Sequence, residues 1–149
     1  MALHWKLVID CADPIRLAGF WAEALGYRVE DHTTLIDGLV ESGALPPQAY
    51  VEVDGRRAFR ELAAVRHPDD PADPTSDMGL GRRLLFQAVP EPKQVKNRLH
   101  MDLHVEPGTR EAEVERLTGL GATVLRQVAD RGSVHTVMAD PEGNEFCVQ

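Results

Sequence analysis

The chain ends in the stretch ADPEGNEFCVQ, residues 139–149, in which a turn sequence precedes a short run of strand-forming residues. DPEGN is typical of a tight turn, and the residues after it are typical of a β-strand. This strand aligns with LLFQAV, residues 84–89, so that Gln87 takes the position of Cys147. The alignment indicates that the chain contains the same closing strand twice.

A strand followed by a helix is also present twice. Residues 3–11 alternate apolar and polar side chains, as does the run at 99–105, and this pattern is typical of a strand covered on one face. A helix follows the first run, with Asp13 as its N-cap and Gly26 as its C-cap, and a second helix is predicted over 109–120. The repeated order indicates an internal duplication.

Three short β-rich runs complete the second half, so that it has the order βαβββ, and the first half fits the same plan with additional residues. We predict a single domain over 1–149 that consists of two modules, 1–92 and 93–149. The first module carries an insertion at about 54–83. Within it, we expect residues 55–66 to form a helix and the proline-rich segment 67–79 to form an irregular surface loop.

Composition limits the classes of function. Sixteen basic and twenty-four acidic residues give a formal charge of -8, which repels polyanions, so we expect no nucleic-acid partner. His4, Lys6 and Asp10 interrupt the apolar residues near the N-terminus, so we predict a cytoplasmic protein with no signal peptide and no membrane partner. In that compartment Cys11 and Cys147 are expected to be reduced, buried thiols.

Three segments carry a resemblance to a known family: DCADPIRLAGFWAEALGY, VPEPKQVKNRLHMDLHV and HTVMADPEGNEFCV. Together they resemble the glyoxalase-like branch of the vicinal oxygen chelate superfamily, which includes glyoxalase I, extradiol dioxygenases and bleomycin-resistance proteins. The resemblance implies an α+β fold in which two βαβββ modules form a curved mixed sheet around a cavity, with the helices outside. It also implies a homodimer.

The same resemblance places the candidate site on the polar strand faces. We expect the cavity side to carry these ligand-binding residues: His4, Lys6, Gln87, His100, Asp102, His104, Glu145 and Cys147. His100 and Glu145 are the candidate catalytic residues. On the strand that holds His100, Asp102 is placed to orient the imidazole through its carboxylate.

Metal-binding relatives take their ligands from the first and last strand of each module, and the resemblance places Lys6, Gln87, His100 and Cys147 at those positions. A lysine ammonium is not a metal ligand, and a thiol replaces the usual carboxylate. Glu145 lies about 6.6 Å along the strand from Cys147, too far to take its place. We therefore predict no cofactor; if a divalent metal binds, its expected ligands are Gln87, His100 and Cys147.

Two classes of function follow, with a third less supported. The first is a glyoxalase-like protein that binds a small organic molecule without the usual divalent metal, in a sequestration or resistance role. The alternative is a lyase, isomerase or dioxygenase that uses His100, either with a metal that polarises vicinal oxygens or by acid-base catalysis. The third is a partner-binding module, for which the acidic surface is the main indication.

Overall fold

The computed structural model describes all residues from Met1 to Gln149 and divides them into two compact units, Met1–Pro92 and Lys93–Gln149. The first unit combines two α-helices with a four-stranded mixed sheet and the second combines one α-helix with another, which confirms the predicted α+β class. None of the helices has both the length and the apolar character needed to cross a bilayer.

The sheet of the first unit has the order β1, β6, β5, β2. These strands are β1 (Leu7–Cys11), β2 (Arg28–Val29), β5 (Leu62–Arg66) and β6 (Arg83–Ala88). β1 and β6 run parallel, whereas β5 is antiparallel to both of its neighbours. β1 begins four residues later than the run at 3–11 predicts, and Leu3 and Trp5 are exposed rather than packed on a helix.

Helix α1 (Pro14–Leu25) covers one face of this sheet and has the predicted caps. The Asp13 carboxylate accepts a hydrogen bond from the backbone N–H of Arg16, and Gly26 ends the helix in the left-handed region. The apolar side of α1 packs on β5 and β6. Trp21 on the helix and Phe86 on β6 are both fully buried, so they form the centre of this core.

The elements that exceed the βαβββ plan lie between β2 and β5. They are α2 (Thr33–Glu41), a 3-10 turn (Pro47–Ala49) and a hairpin of β3 (Tyr50–Val53) and β4 (Arg56–Phe59). The helix predicted over 55–66 is therefore wrong. Asp54 and Gly55, both with positive φ, form the two-residue turn that favours a hairpin, and this local geometry overrides the helical spacing of the residues after it.

Part of the predicted insertion at about 54–83 belongs to the module sheet, because β5 falls within that range. The loop prediction for residues 67–79 is confirmed. That segment contains turns and one isolated bridge between Ala72 and Gly79, and it connects β5 to β6.

The second unit repeats the plan of the first. Its sheet order is β7, β10, β9, β8, formed by β7 (Asp102–Leu103), β8 (Thr123–Asp130), β9 (Ser133–Ala139) and β10 (Glu145–Val148). α3 (Arg110–Leu120) follows β7 and ends at Gly121, as predicted. Since β1, β6, β5 and β2 correspond in order to β7, β10, β9 and β8, the predicted duplication is confirmed at the level of strand order.

Candidate functional site

A row of polar side chains in the second unit follows from the register of β7 and β10. These strands are parallel, and Asp102 is the register partner of Cys147. His100 precedes Asp102 by two residues and therefore lies on the same side of the extended chain. The structure thus brings together three of the residues that the sequence predicts for the site.

Asp102 lies at the centre of this row. Its Oδ1 is 3.4 Å from Nε2 of His100, and its Oδ2 accepts a hydrogen bond of 3.3 Å from the side-chain amide of Gln149. The side chains of His100 and Asp102 are each almost half exposed. We call His100, Asp102 and Cys147 the β7–β10 cluster; their potential ligand atoms all lie within 4.8 Å of one another.

Cys147 is buried and stays a thiol in this environment. Burial raises the pKa of the Cys147 thiol, and the carboxylate of Asp102, which the thiol contacts, raises it further. Cys11 and Cys147 are both free and buried, which confirms the sequence prediction of reduced thiols. Cys147 is therefore no thiolate nucleophile in this environment, and a metal ion would have to displace its proton to bind the sulfur.

Glu145 is engaged in local contacts. One carboxylate oxygen lies 3.2 Å from Nζ of Lys93, and the other accepts a 3.0 Å hydrogen bond from the backbone N–H of Asn97. Burial acts to raise the pKa of Glu145, but these contacts outweigh it and hold the pKa below its ordinary value. A carboxylate stabilised in its charged form is a weak proton acceptor, which disfavours the predicted catalytic role of Glu145.

The four remaining residues predicted for the site are exposed to solvent. His4 and Lys6 precede β1 and are exposed, and Gln87 is exposed on β6. His104, in the second unit, is exposed just after β7. The part that these four residues play in ligand binding stays a prediction.

The strand register corrects one correspondence between the modules. In the first unit Asp10 is the register partner of Gln87, as Asp102 is of Cys147 in the second. His100 stands two residues before Asp102, and Val8 stands two residues before Asp10. Val8, and not Lys6, therefore corresponds to His100. Valine offers no metal ligand either, so the correction leaves this position without a donor.

The donor set of the β7–β10 cluster fits only some metals. An imidazole, a carboxylate and a thiol suit a borderline ion such as Zn²⁺ and do not match the oxygen ligands that Mg²⁺ or Mn²⁺ prefers. Zn–N and Zn–S bonds of about 2.0 and 2.3 Å require donor atoms roughly 3.5 Å apart. The donor atoms here lie within 4.8 Å of one another, and Cys147 has to lose its proton before Zn²⁺ is held.

The first unit contains a buried ionic network that the sequence analysis missed. Glu30, at the end of β2, is held by two hydrogen bonds from the guanidinium of Arg83, at 2.6 and 2.8 Å, and by one of 2.8 Å from the backbone N–H of Gly79. The Glu30 side chain is fully buried. A Cβ at position 79 would lie 2.7 Å from the Cβ of Arg66, so only glycine allows this approach.

His32 joins this network with an acceptor beside each of its ring nitrogens, an arrangement that favours the imidazolium. Its Nδ1 lies 2.5 Å from the carbonyl oxygen of Ser76, so Nδ1 carries a proton and donates it. Its Nε2 lies 3.3 Å from Oε2 of Glu30, which is within ion-pair range but outside hydrogen-bond alignment. Burial acts to lower the pKa of His32, yet the Glu30 carboxylate and the Ser76 carbonyl outweigh it and raise the pKa above its ordinary value.

A cavity of about 520 Å³ adjoins this network within the first unit. α1, β2, the β3–β4 hairpin and β5 line it, and we call it the hairpin cavity. Its wall is mainly apolar and includes Ile15, Val29, Phe59 and Leu62, with His32 among the polar groups. No sequence pattern predicts this arrangement, since Glu30 and Arg83 are 53 residues apart and share no motif.

Two units with the same strand order, each a βαβββ module, and a polar row on the first and last strands of the second, define a protein of the vicinal oxygen chelate class. The chain belongs to the glyoxalase-like domain family, which its sequence matches over residues 6–149. The resemblance found in the sequence is thereby confirmed. A comparison with curated proteins found no match.

Solved structures share the fold at low identity. A glyoxalase/bleomycin resistance protein/dioxygenase family enzyme from Burkholderia phytofirmans is 15% identical, with a TM-score of 0.58 over 96% of this chain and 94% of its own. The fosfomycin resistance protein FosX from Mesorhizobium loti is 11% identical, with a TM-score of 0.60 over 100% and 91%. A FosX variant from Listeria monocytogenes, complexed with Mn(II) and 1S,2S-dihydroxypropylphosphonic acid, is 8% identical, with a TM-score of 0.59 over 100% and 90%. At these identities the likeness shows the fold alone.

Proposed function

We propose that this glyoxalase-like protein binds a small organic molecule through the polar faces of its strands, without a divalent metal. The observation that carries the proposal concerns β10, the strand expected to supply a carboxylate ligand to a metal: it has no carboxylate available for that role. Its only carboxylate, Glu145, is engaged by Lys93 and Asn97, and Cys147 is a buried thiol of raised pKa. The half-exposed His100 and Asp102 remain available to contact a ligand.

The chemistry of the row favours a ligand with both donors and acceptors. Asp102 is a hydrogen-bond acceptor, and His100 and His104 beside it provide ring N–H groups. Such convergent polar groups fix the orientation of a small molecule more than they contribute to affinity. These hydrogen-bonding groups are sufficient to hold a ligand without reacting with it, which suits a sequestration role.

An NMR titration tests this proposal. Uniformly labelled protein, treated with EDTA, is titrated with fosfomycin and with a set of small carbonyl and phosphonate compounds; fosfomycin is included because two structural neighbours are fosfomycin resistance proteins. We expect a compound to shift the amides of His100, Asp102 and His104 in the presence of EDTA, and His100→Ala to weaken that binding. Glu115→Ala, which removes an exposed side chain on α3, is the control and should leave it unchanged. Shifts that appear only with Mn²⁺ or Zn²⁺, or none at these amides, would overturn the proposal.

The β7–β10 cluster itself favours a second candidate, a metal-dependent enzyme of the same family. His100, Asp102 and Cys147 are three donors with ligand atoms within 4.8 Å, and Zn²⁺ is the ion they suit. When bound, such an ion supplies Lewis acidity toward substrate oxygens. Turnover that is lost on chelation and restored by Zn²⁺ would favour this candidate.

We also propose that the protein is a cytoplasmic homodimer. Exposed apolar side chains on β8 and β9 support a dimer, because Val124, Leu125 and Val134 are each more than two-fifths exposed. We expect multi-angle light scattering to give twice the chain mass of 16.5 kDa. A mass of one chain at all concentrations would contradict it. The cytoplasmic location is checked by cell fractionation.

A further inference from the structure

The hairpin cavity of the first unit carries an unsatisfied donor in an apolar setting. Nε2 of His32 has no aligned hydrogen-bond acceptor in the protein, although the His32 side chain is only 8% exposed. Both ring nitrogens of an imidazolium are donors, and Nδ1 is already satisfied by Ser76. A buried donor without an acceptor costs free energy, which a ligand acceptor placed at Nε2 would recover.

The charges buried around this donor do not cancel. Glu30, His32 and Arg83 have side chains that are 0%, 8% and 8% exposed, so with His32 protonated the buried set holds two cations and one anion. The remaining charges at the cavity are compensated locally or lie near solvent. Arg56 pairs with Asp31 at 3.5 Å, Arg57 pairs with Asp37 at 2.7 Å, and Asp54 is exposed at the hairpin turn.

From this geometry we infer that the hairpin cavity is a binding site for an apolar or aromatic molecule that carries one carboxylate. The carboxylate accepts from Nε2 of His32 and neutralises the excess positive charge, while the hydrocarbon part lies against Ile15, Phe59 and Leu62. The volume of about 520 Å³ is within the range of small-molecule sites. This site is distinct from the β7–β10 cluster, which lies in the second unit.

Gly19 gives the site a precise test. It lies in the interior of α1, lines the cavity, and a Cβ added there meets no atom within 4 Å. Gly19→Leu should therefore fill the cavity without disturbing the helix, since leucine has a higher helix propensity than glycine. Gly119→Leu is the matched control, because Gly119 is an exposed glycine within α3 and its added Cβ is also free of contacts.

The experiment compares two probes by isothermal titration calorimetry: 1-naphthylacetate and its neutral analogue 1-naphthylacetamide. We expect the acid to bind once per chain, and the amide to bind at least about tenfold more weakly because it carries no charge. Gly19→Leu should abolish binding, and Gly119→Leu should leave it unchanged. Ala58→Phe, from the hairpin wall of the cavity, should reproduce the loss if Gly19→Leu does not fold.

Three results would overturn the inference: no saturable binding of the acid, equal affinity for acid and amide, or undiminished binding by the cavity-filling variants. His100→Ala distinguishes this site from the proposed function. It should leave naphthylacetate binding intact, because His100 is in the second unit.

Discussion

The pKa values of the buried ionisable residues in this protein depend on partners that are distant in sequence. Glu30 precedes Gly79 by 49 residues and Arg83 by 53, and His32 contacts Ser76. Burial acts to raise the pKa of Glu30, but Arg83, His32 and the Gly79 N–H outweigh it and lower the pKa to about 2. Glu30 therefore remains charged inside the unit, and the network around it depends on that charge.

Removal of Glu30 should strongly destabilise the protein. Glu30→Ala leaves the buried guanidinium of Arg83 and the imidazolium of His32 without a counter-charge, and breaking a buried pair in this way costs about 3–5 kcal/mol. Urea denaturation measures this cost. Glu113→Ala is the control, because Glu113 forms a more exposed pair with Arg116 within α3 and should cost less than about 1 kcal/mol. Equal losses for the two variants would contradict the described network.

The raised pKa of His32 predicts a dependence of stability on pH. A group whose pKa is higher in the folded state contributes stability fully below its unfolded pKa of about 6.5, and that contribution is lost as pH rises through the folded value. The free energy of unfolding of the native protein should therefore exceed that of His32→Gln most below pH 6.5. The difference should shrink at alkaline pH. A difference that grows with pH would show that His32 is neutral in the fold.

Among the helices and strands, some are predicted correctly by local sequence patterns and others are not. α1 begins and ends where its caps predict, because Asp13 and Gly26 act through their own neighbours. The apolar spacing over 55–66 predicts a helix where β4 and β5 lie, although the Asp54–Gly55 turn is a local signal that outweighs it. β1 is shorter than its alternation indicates because residues 3–6 have no strand partner within the sheet.

The turn of this hairpin should be sensitive to a single methyl group. Gly55 has φ of 76°, and alanine there is strained in the left-handed region by about 1–2 kcal/mol. Gly55→Ala should lower the free energy of unfolding by this amount. Gly38→Ala, in the interior of α2, should raise it by about 0.5–1 kcal/mol, because glycine weakens a helix interior. Thermal unfolding of the two variants checks the opposite signs, and equal effects would exclude the assigned turn.

For the whole chain, the duplication was accessible from sequence because strand patterning and turn residues repeat in both halves. The site was accessible only in part. His100, Asp102 and Cys147 were identified by position in the family, and the β7–β10 register shows why they meet. Glu30, His32 and the hairpin cavity were not identified, because their association depends on a hairpin and a loop whose paths no local pattern specifies.

The central claim is that this glyoxalase-like scaffold works without a divalent metal, and native mass spectrometry with Zn²⁺, Ni²⁺, Mn²⁺ and Fe²⁺ tests it most directly. We expect no stoichiometric metal complex of the native protein, because Cys147 is a buried thiol and Glu145 is engaged elsewhere. His100→Ala and the control His104→Ala, two residues beyond Asp102 and outside the cluster, should behave like the native protein. One tightly bound metal ion per chain that is lost in His100→Ala and kept in His104→Ala would contradict the claim.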